Sequence, residues 1–331
     1  MYKRQDTRGV LIYGLCFIFT FVLTAACGGE GIAPQTARAV EEGETSAAHP
    51  YLRRPNIARC DEGALSQEAK DRALRHINEI RRLHGLKSVI YEPADDIFAQ
   101  RAALIIVANA ALDHYPAKNA KCFSAEGVEG SRNSNLFMSG GVPVGNEVGH
   151  YIDGWLIDKD VENLGHRRWV IDPFVQSVAL GVVDGNPLVP FDIRPVVGAT
   201  LKIISNKLQD NTDLTSEFVA YPYQNYPTAL FDKGWFLSFS VIADRTSRFG
   251  GNKSVDFAGA TITMSGRIGM KGPDVIVPVN SVAFNTDGFG LANIIQWKAE
   301  GLADGTTYTV AIANVQVNGQ PRSYIYDFTL K

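Results

Sequence analysis

The chain has 331 residues, 45% of them hydrophobic and 20% charged, and carries a net charge of −3. That composition belongs to a folded protein with room for two ordinary cores, and it excludes disorder throughout. The slightly acidic balance excludes a nucleic-acid partner held by a basic face.

Lys3, Arg4 and Arg8 precede an apolar run over 10–23, and small residues then lead through Thr24-Ala25-Ala26 to Cys27. A basic start, a short apolar run and small residues together predict a signal peptide over 1–26. A retained transmembrane helix is the other reading, for which the run is short. Thr24-Ala25-Ala26-Cys27 resembles a bacterial lipobox, with Leu23 one place early. The resemblance implies that Cys27 is lipidated and that the chain is exported. It would be lipid-anchored to the bacterial cell envelope, facing the periplasm or the cell exterior, with the membrane as a partner. Ordinary cleavage nearby is the alternative. Cys16 would leave with the leader, so Cys60 and Cys122 are left over in an oxidising compartment and are expected to pair, two buried thiols being the alternative.

Residues 27–58, rich in Gly, Ala, Glu, Thr and Pro, read as a flexible stalk. Ser66 then caps a helix whose Ala69, Ala73, Ile77 and Ile80 recur at spacings of three and four, ending at His84-Gly85. Pro93 opens a second helix through Ile97, Ala102, Ile105 and Ile106, stopped by Pro116. Residues 117–146, rich in Gly, Ser and Asn, read as a long loop that holds Cys122. A third helix runs from Glu147 to Ile157, and Ser177 to Val183 reads as a buried strand; this first domain is assigned to 59–189.

Beyond Pro190 the period becomes two. Leu237, Phe239 and Val241 alternate with serines, and Tyr308, Val310 and Ile312 lead to the turn pair Asn318-Gly319 before Tyr324, Tyr326 and Phe328 return. Residues 190–331 are therefore expected to form an all-β, immunoglobulin-like sandwich.

Asn78-Glu79-Ile80-Arg81-Arg82-Leu83-His84-Gly85-Leu86 comes first, then Ile152-Asp153-Gly154-Trp155, Gly165-His166-Arg167 and Asp172-Pro173. In that order, over about 70–184, these segments resemble the CAP superfamily, the fold of cysteine-rich secretory and plant pathogenesis-related proteins. The resemblance implies an α+β chain whose first domain is a three-layer α-β-α sandwich. It also implies a cleft in which two histidines and two acids hold a divalent metal such as zinc. It carries that set onto His114, Asp158 and His166. For the second acid, Ser131 or Ser134 stands where the family has Glu, and Trp169 takes the usual Asn place.

Simpler readings stand beside this one. His166 would tether its loop to a backbone carbonyl, and His114 would close a helix end. Arg167-Arg168 read as solvated or paired with Asp158 or Asp160. Glu147 and His150 lack a full metalloprotease spacing, and Ser131, Ser134 and Ser139 lie in no nucleophile elbow. Tyr221, Tyr223, Tyr226 and Trp235 suit a sugar-stacking face or a core equally. The expected function is non-enzymatic binding of a small or apolar ligand, such as a lipid, or of a partner protein. A metal-dependent hydrolase and a purely structural surface module are the alternatives.

Overall fold

The computed structural model describes residues 49–141, 145–192, 194–204, 215–269 and 272–331. The expected signal peptide, Cys27 and the stalk as far as residue 48 lie outside the described residues. The last part of the expected stalk does not: β1 (Tyr51–Arg53) pairs antiparallel with β2 (Ala64–Leu65). Tyr51 is buried and its hydroxyl donates to Asp184 Oδ1 at 2.6 Å. Two apolar anchors, Tyr51 and Ile57, tie down a segment whose average composition reads as tether.

Helix α1 (Gln67–Leu83) starts where Ser66 Oγ accepts the Ala69 N–H at 3.2 Å, and it buries Ala69, Ala73, Ile77 and Ile80. After β3 (Ile90–Tyr91) and a single turn at Pro93–Asp95, α2 (Asp96–Asn109) is buried on nearly every side. It ends at Ala110, in the left-handed region at φ 46°, well before Pro116.

The expected loop over 117–146 contains α3 (Ala125–Arg132) and β4 (Ser134–Gly140). Its glycines mark a close helix contact as much as a loop. A Cβ on Gly130 would come within 2.0 Å of Phe98 O on α2, so only glycine lets α3 lie there. Helices α4 (Gly149–Ile157) and α5 (Gly165–Val170) follow, then β5 (Ser177–Gly185) and β6 (Val196–Lys202).

The sheet order is β3-β5-β6-β4, parallel only between β3 and β5. Helix α2 covers one face, where Gly181 and Gly198 bring the backbones close and the Thr200 hydroxyl donates to Ala99 O at 2.8 Å. On the other face Leu180, Val182, Val197 and Leu201 pack in one cluster with Ile77 of α1 and Ile152 and Trp155 of α4. Burial on both faces explains the unbroken apolar runs of β5 and β6. Strand β6 corrects the expected boundary at 189, because it pairs with both β4 and β5. Cys60 and Cys122 are disulfide-bonded, with Cα atoms 5.2 Å apart, clipping the β1–β2 region to the segment before α3.

The second half holds β7 (Phe218–Tyr221), β8 (Gln224–Tyr226), β9 (Leu237–Val241), β10 (Thr261–Ile268), β11 (Val275–Val277), β12 (Val279–Asn285), β13 (Ile294–Ala299), β14 (Thr306–Val317) and β15 (Gln320–Leu330). They form two sheets, β11-β10-β14-β15-β8 and β12-β13-β9-β7. The β14–β15 hairpin turns on Asn318-Gly319, both at positive φ, as a tight turn there requires. Phe239 of one sheet meets Tyr324 and Tyr326 of the other at ring distances of 5.2 and 6.0 Å. The fold is thus mixed α+β with several sheets.

Two separate cores were expected; one apolar cluster runs from Ile77 and Trp155 to Val219 and Phe239, within a compact unit over 47–331. Buried arginines fasten its halves. Arg167 Nη1 donates to Phe236 O at 2.8 Å, and Arg168 donates to Asn285 Oδ1 at 2.6 Å and Leu291 O at 3.1 Å. From the second half, Arg248 reaches Asp172 at 3.3 Å and lies over the Trp169 ring. The expected solvated Arg pair is therefore buried, at 1% and 4% exposure, because carbonyl oxygens replace the lost water.

Candidate functional site: a cleft at the junction of the two halves

A cleft of about 840 Å³ lies between β4 and α4 on one side and, on the other, the segment that runs from the Thr228–Leu230 turn to Gly234. Leu136, Phe137, Met138, Trp155, Ile157 and Phe231 supply much of its apolar wall. Strand β4 places its residues at the sheet edge, and the Trp155 indole locks α4 onto it by donating to Leu136 O at 3.0 Å.

Asp158 and His166 stand among the polar groups of the wall, with Lys159, Thr228, Asp232 and Lys233. Asp158 caps the end of α4 in the left-handed conformation, at φ 54°. From there its carboxylate reaches the first turn of α5. Oδ2 accepts the backbone N–H groups of His166 and Arg167 at 3.0 and 3.1 Å, and Oδ1 accepts the His166 ring at 2.7 Å. A residue seven positions before the helix thus satisfies its orphan donors. The carboxylate side chain is 1% exposed. Because a carboxylate only accepts, the neutral ring carries its proton on Nδ1 and its lone pair on Nε2. His166 lines the cleft with a quarter of its side chain exposed. Such an imidazole can accept a hydrogen bond from a ligand or take a proton from one.

At the rim Lys159 Nζ and Asp232 Oδ2 meet at 2.8 Å across the two halves. The hydrogen bond to Asp232 holds the Lys159 ammonium above its ordinary value, and the same bond holds the Asp232 carboxyl below its own.

The structure brings Asp158 and His166 together and leaves His114 apart. The His114 Nδ1–H donates to Ser131 O at 2.7 Å, and His114 does not line the cleft. The tether to a backbone carbonyl expected of His166 belongs instead to His114. At the place of the missing acid, the Ser131 hydroxyl is spent on Gly127 O at 2.9 Å, and the Ser134 hydroxyl is buried without a partner. Among the described residues no group of three or more His, Cys, Asp or Glu could hold a metal ion. The expected zinc set of His114, Asp158 and His166 is corrected on this geometry: both Asp158 oxygens are committed to N–H donors, and one imidazole is elsewhere. The residues do not fit a zinc ion.

His150 packs on the Tyr151 ring and bonds the Glu147 carbonyl, outside the cleft. Sequence reasoning missed His76, which bonds Asp153 at 2.5 Å and ties α1 to α4; that hydrogen bond raises its pKa. It also missed Phe231 and Asp232, which line the cleft and for which no local signal exists, and it gave Trp235 no link to Asp158. Trp235 Nε1 donates to Asp158 O at 2.9 Å across 77 positions of chain.

No family model matches the chain, and no curated protein matches it.

Proposed function

We propose that this chain is an exported, lipid-anchored envelope protein that binds an apolar or amphiphilic small molecule in the cleft between its halves. The observation that carries this reading is the cleft itself: apolar side chains from both halves line much of it, and a hydrogen-bonding imidazole stands in that wall, with the Lys159–Asp232 pair and Lys233 beside it. Its volume falls in the range of small-molecule sites, and apolar surface with polar groups at one side and rim suits an amphiphilic ligand.

The CAP-like reading of the first half supports the same idea. Its central sheet is covered on both faces by helices, as a three-layer sandwich requires. The Asn78 side chain of the first motif pins Val89 through two hydrogen bonds, at 3.0 and 2.8 Å. An immunoglobulin-like reading of the second half rests on its two facing sheets. The disulfide suits an oxidising compartment.

The test is fluorescence titration of the 47–331 unit with a naturally fluorescent polyene fatty acid, beside Met138→Arg. Saturable one-to-one binding lost in the variant is the expected result. Equal, unsaturable signal in both chains overturns the reading. The anchor is tested separately by labelling cells with radioactive palmitate: label lost in Cys27→Ser is expected, and an unlabelled native chain removes the lipoprotein part.

The Asp158–His166 pair favours a second reading, metal-independent hydrolysis of a bound ester with His166 as the base. Turnover of a nitrophenyl ester abolished by His166→Gln would support it over simple binding.

A further inference from the structure

We infer that Trp235, on the second half, is a positioning residue of the cleft: its indole fixes Asp158, and through Asp158 it fixes which nitrogen of His166 faces a ligand. This rests on the reading of the cleft as a binding site.

Asp158 is the hinge of the arrangement. Its backbone lies at φ 54°, ψ 39°, in the left-handed region, which Asp tolerates better than most residues with a Cβ, and hydrogen bonds on both its backbone groups hold it there. Its own N–H is held by Gly154 O at 2.9 Å. Its carbonyl accepts the Val161 N–H at 3.2 Å and, from the other half, the Trp235 indole at 2.9 Å. Only with this carbonyl direction set does the carboxylate point at α5 and collect the two backbone N–H groups and the imidazole.

Trp235 is itself firmly seated. Its N–H bonds Asp232 O at 3.0 Å, its ring meets Phe236 edge-on at 5.0 Å, and Lys298 Nζ sits 4.4 Å over it. The neighbouring Phe236 carbonyl is the acceptor of Arg167, the residue after His166. The segment from Asp232 to Phe236 therefore grips both ends of the Asp158–His166 unit, with Lys159–Asp232 as a second strap at the rim. Were the indole bond merely one more packing contact, its loss would cost stability and leave the imidazole unchanged. A positioning role predicts a change in the ring itself.

The experiment needs no ligand, so it separates this inference from the binding reading. The full chain is labelled with ¹⁵N-histidine, held in detergent micelles, and the two ring nitrogens of neutral His166 are read by long-range ¹H–¹⁵N correlation. His166→Gln assigns the signals. In the native chain the proton should sit on Nδ1. In Trp235→Phe, which keeps an aromatic ring over Lys298, the ratio of Nδ1–H to Nε2–H should fall about five-fold, the equivalent of one ordinary hydrogen bond. An unaltered ratio in folded Trp235→Phe overturns the inference. If that variant does not fold, the native chain decides: a through-hydrogen-bond coupling between Trp235 Nε1 and the Asp158 carbonyl carbon is expected, and an indole N–H that exchanges freely without it is fatal. A changed ratio in a chain that fails to bind the fatty acid would keep the positioning role and remove the ligand reading.

Discussion

Buried His84 makes stability depend on pH in a calculable way. It caps α1 at 2% exposure and sits between the halves, with Nδ1 2.7 Å from Ala220 O and Nε2 3.0 Å from the Tyr226 hydroxyl. The carbonyl can only accept, so Nδ1 carries the proton and Nε2 accepts from Tyr226. A second proton would have to reverse the Tyr226 hydrogen bond inside the core, away from water. Burial, with Arg167 and Arg81 adding repulsion against the help of Ala220, pushes the imidazole pKa down from 6.5 to about 4. Between those values the unfolded chain binds a proton that the folded chain refuses. The contribution is therefore fully present above about pH 6.5 and is lost as pH falls through the window to about 4. At about 1.4 kcal/mol per unit the loss amounts to about 3 kcal/mol. His76 has the opposite sign: its pKa is raised by Asp153, so its contribution is present at low pH and lost as pH rises through the folded value. Comparing the native chain with His84→Gln cancels His76, which both share. Urea unfolding at pH 7, 5.5 and 4 should show the native advantage over His84→Gln shrinking by about 3 kcal/mol from top to bottom. An advantage that stays constant over this range, or a His84 resonance titrating near its ordinary value in the folded protein, refutes the reasoning.

Other perturbations have equally definite outcomes. Replacing both Cys60 and Cys122 by Ser opens a link across 62 positions and should cost about 4 kcal/mol in denaturant unfolding; an unmoved midpoint would show that the link adds nothing. Arg248→Met leaves the Asp172 carboxylate buried without its nearest countercharge and should cost about 3 kcal/mol, most of it recovered when Asp172→Asn is added. Additive losses in that double-mutant cycle would mean the two groups do not act as a pair. Gly181→Ala would drive a Cβ to within 2.3 Å of the Ala99 carbonyl, a backbone group that cannot swing aside. A loss of about 1–3 kcal/mol is expected by calorimetry, and a neutral result would mean α2 does not sit this close to β5.

Legibility in the sequence followed the range of the interaction responsible. The start of α1 could be read at Ser66, because a cap acts over three residues. The β14–β15 hairpin could be read from Asn318-Gly319 and the alternation around it, because both are local. The long loop was misread because Gly127 and Gly130 carry no label saying whether they bend a chain or admit a neighbouring helix; Phe98, some thirty positions away, decides that. Strand β6 was assigned to the wrong half for a related reason, since its partners β4 and β5 are what make it a strand of the first sheet. Of the candidate site, the resemblance put Asp158 and His166 in one set, as metal ligands; that the two bond each other directly is a finding of the structure. The separation of His114 could not be read from the sequence, since it depends on where α3 presents Ser131 O.

By itself the sequence determined what depends on neighbours along the chain, the α1 and β14–β15 patterns above all, and it marked the two cysteines that pair. Tertiary structure alone decided the rest. It converted Arg167 and Arg168 from a presumed solvated pair into buried fasteners, because Phe236, Asn285 and Leu291 supply the acceptors that water would otherwise supply. It also built the cleft, whose walls come from segments about a hundred positions apart. A cleft is the space left between packed surfaces, and no property of either surface's own sequence specifies that space until the other is in place.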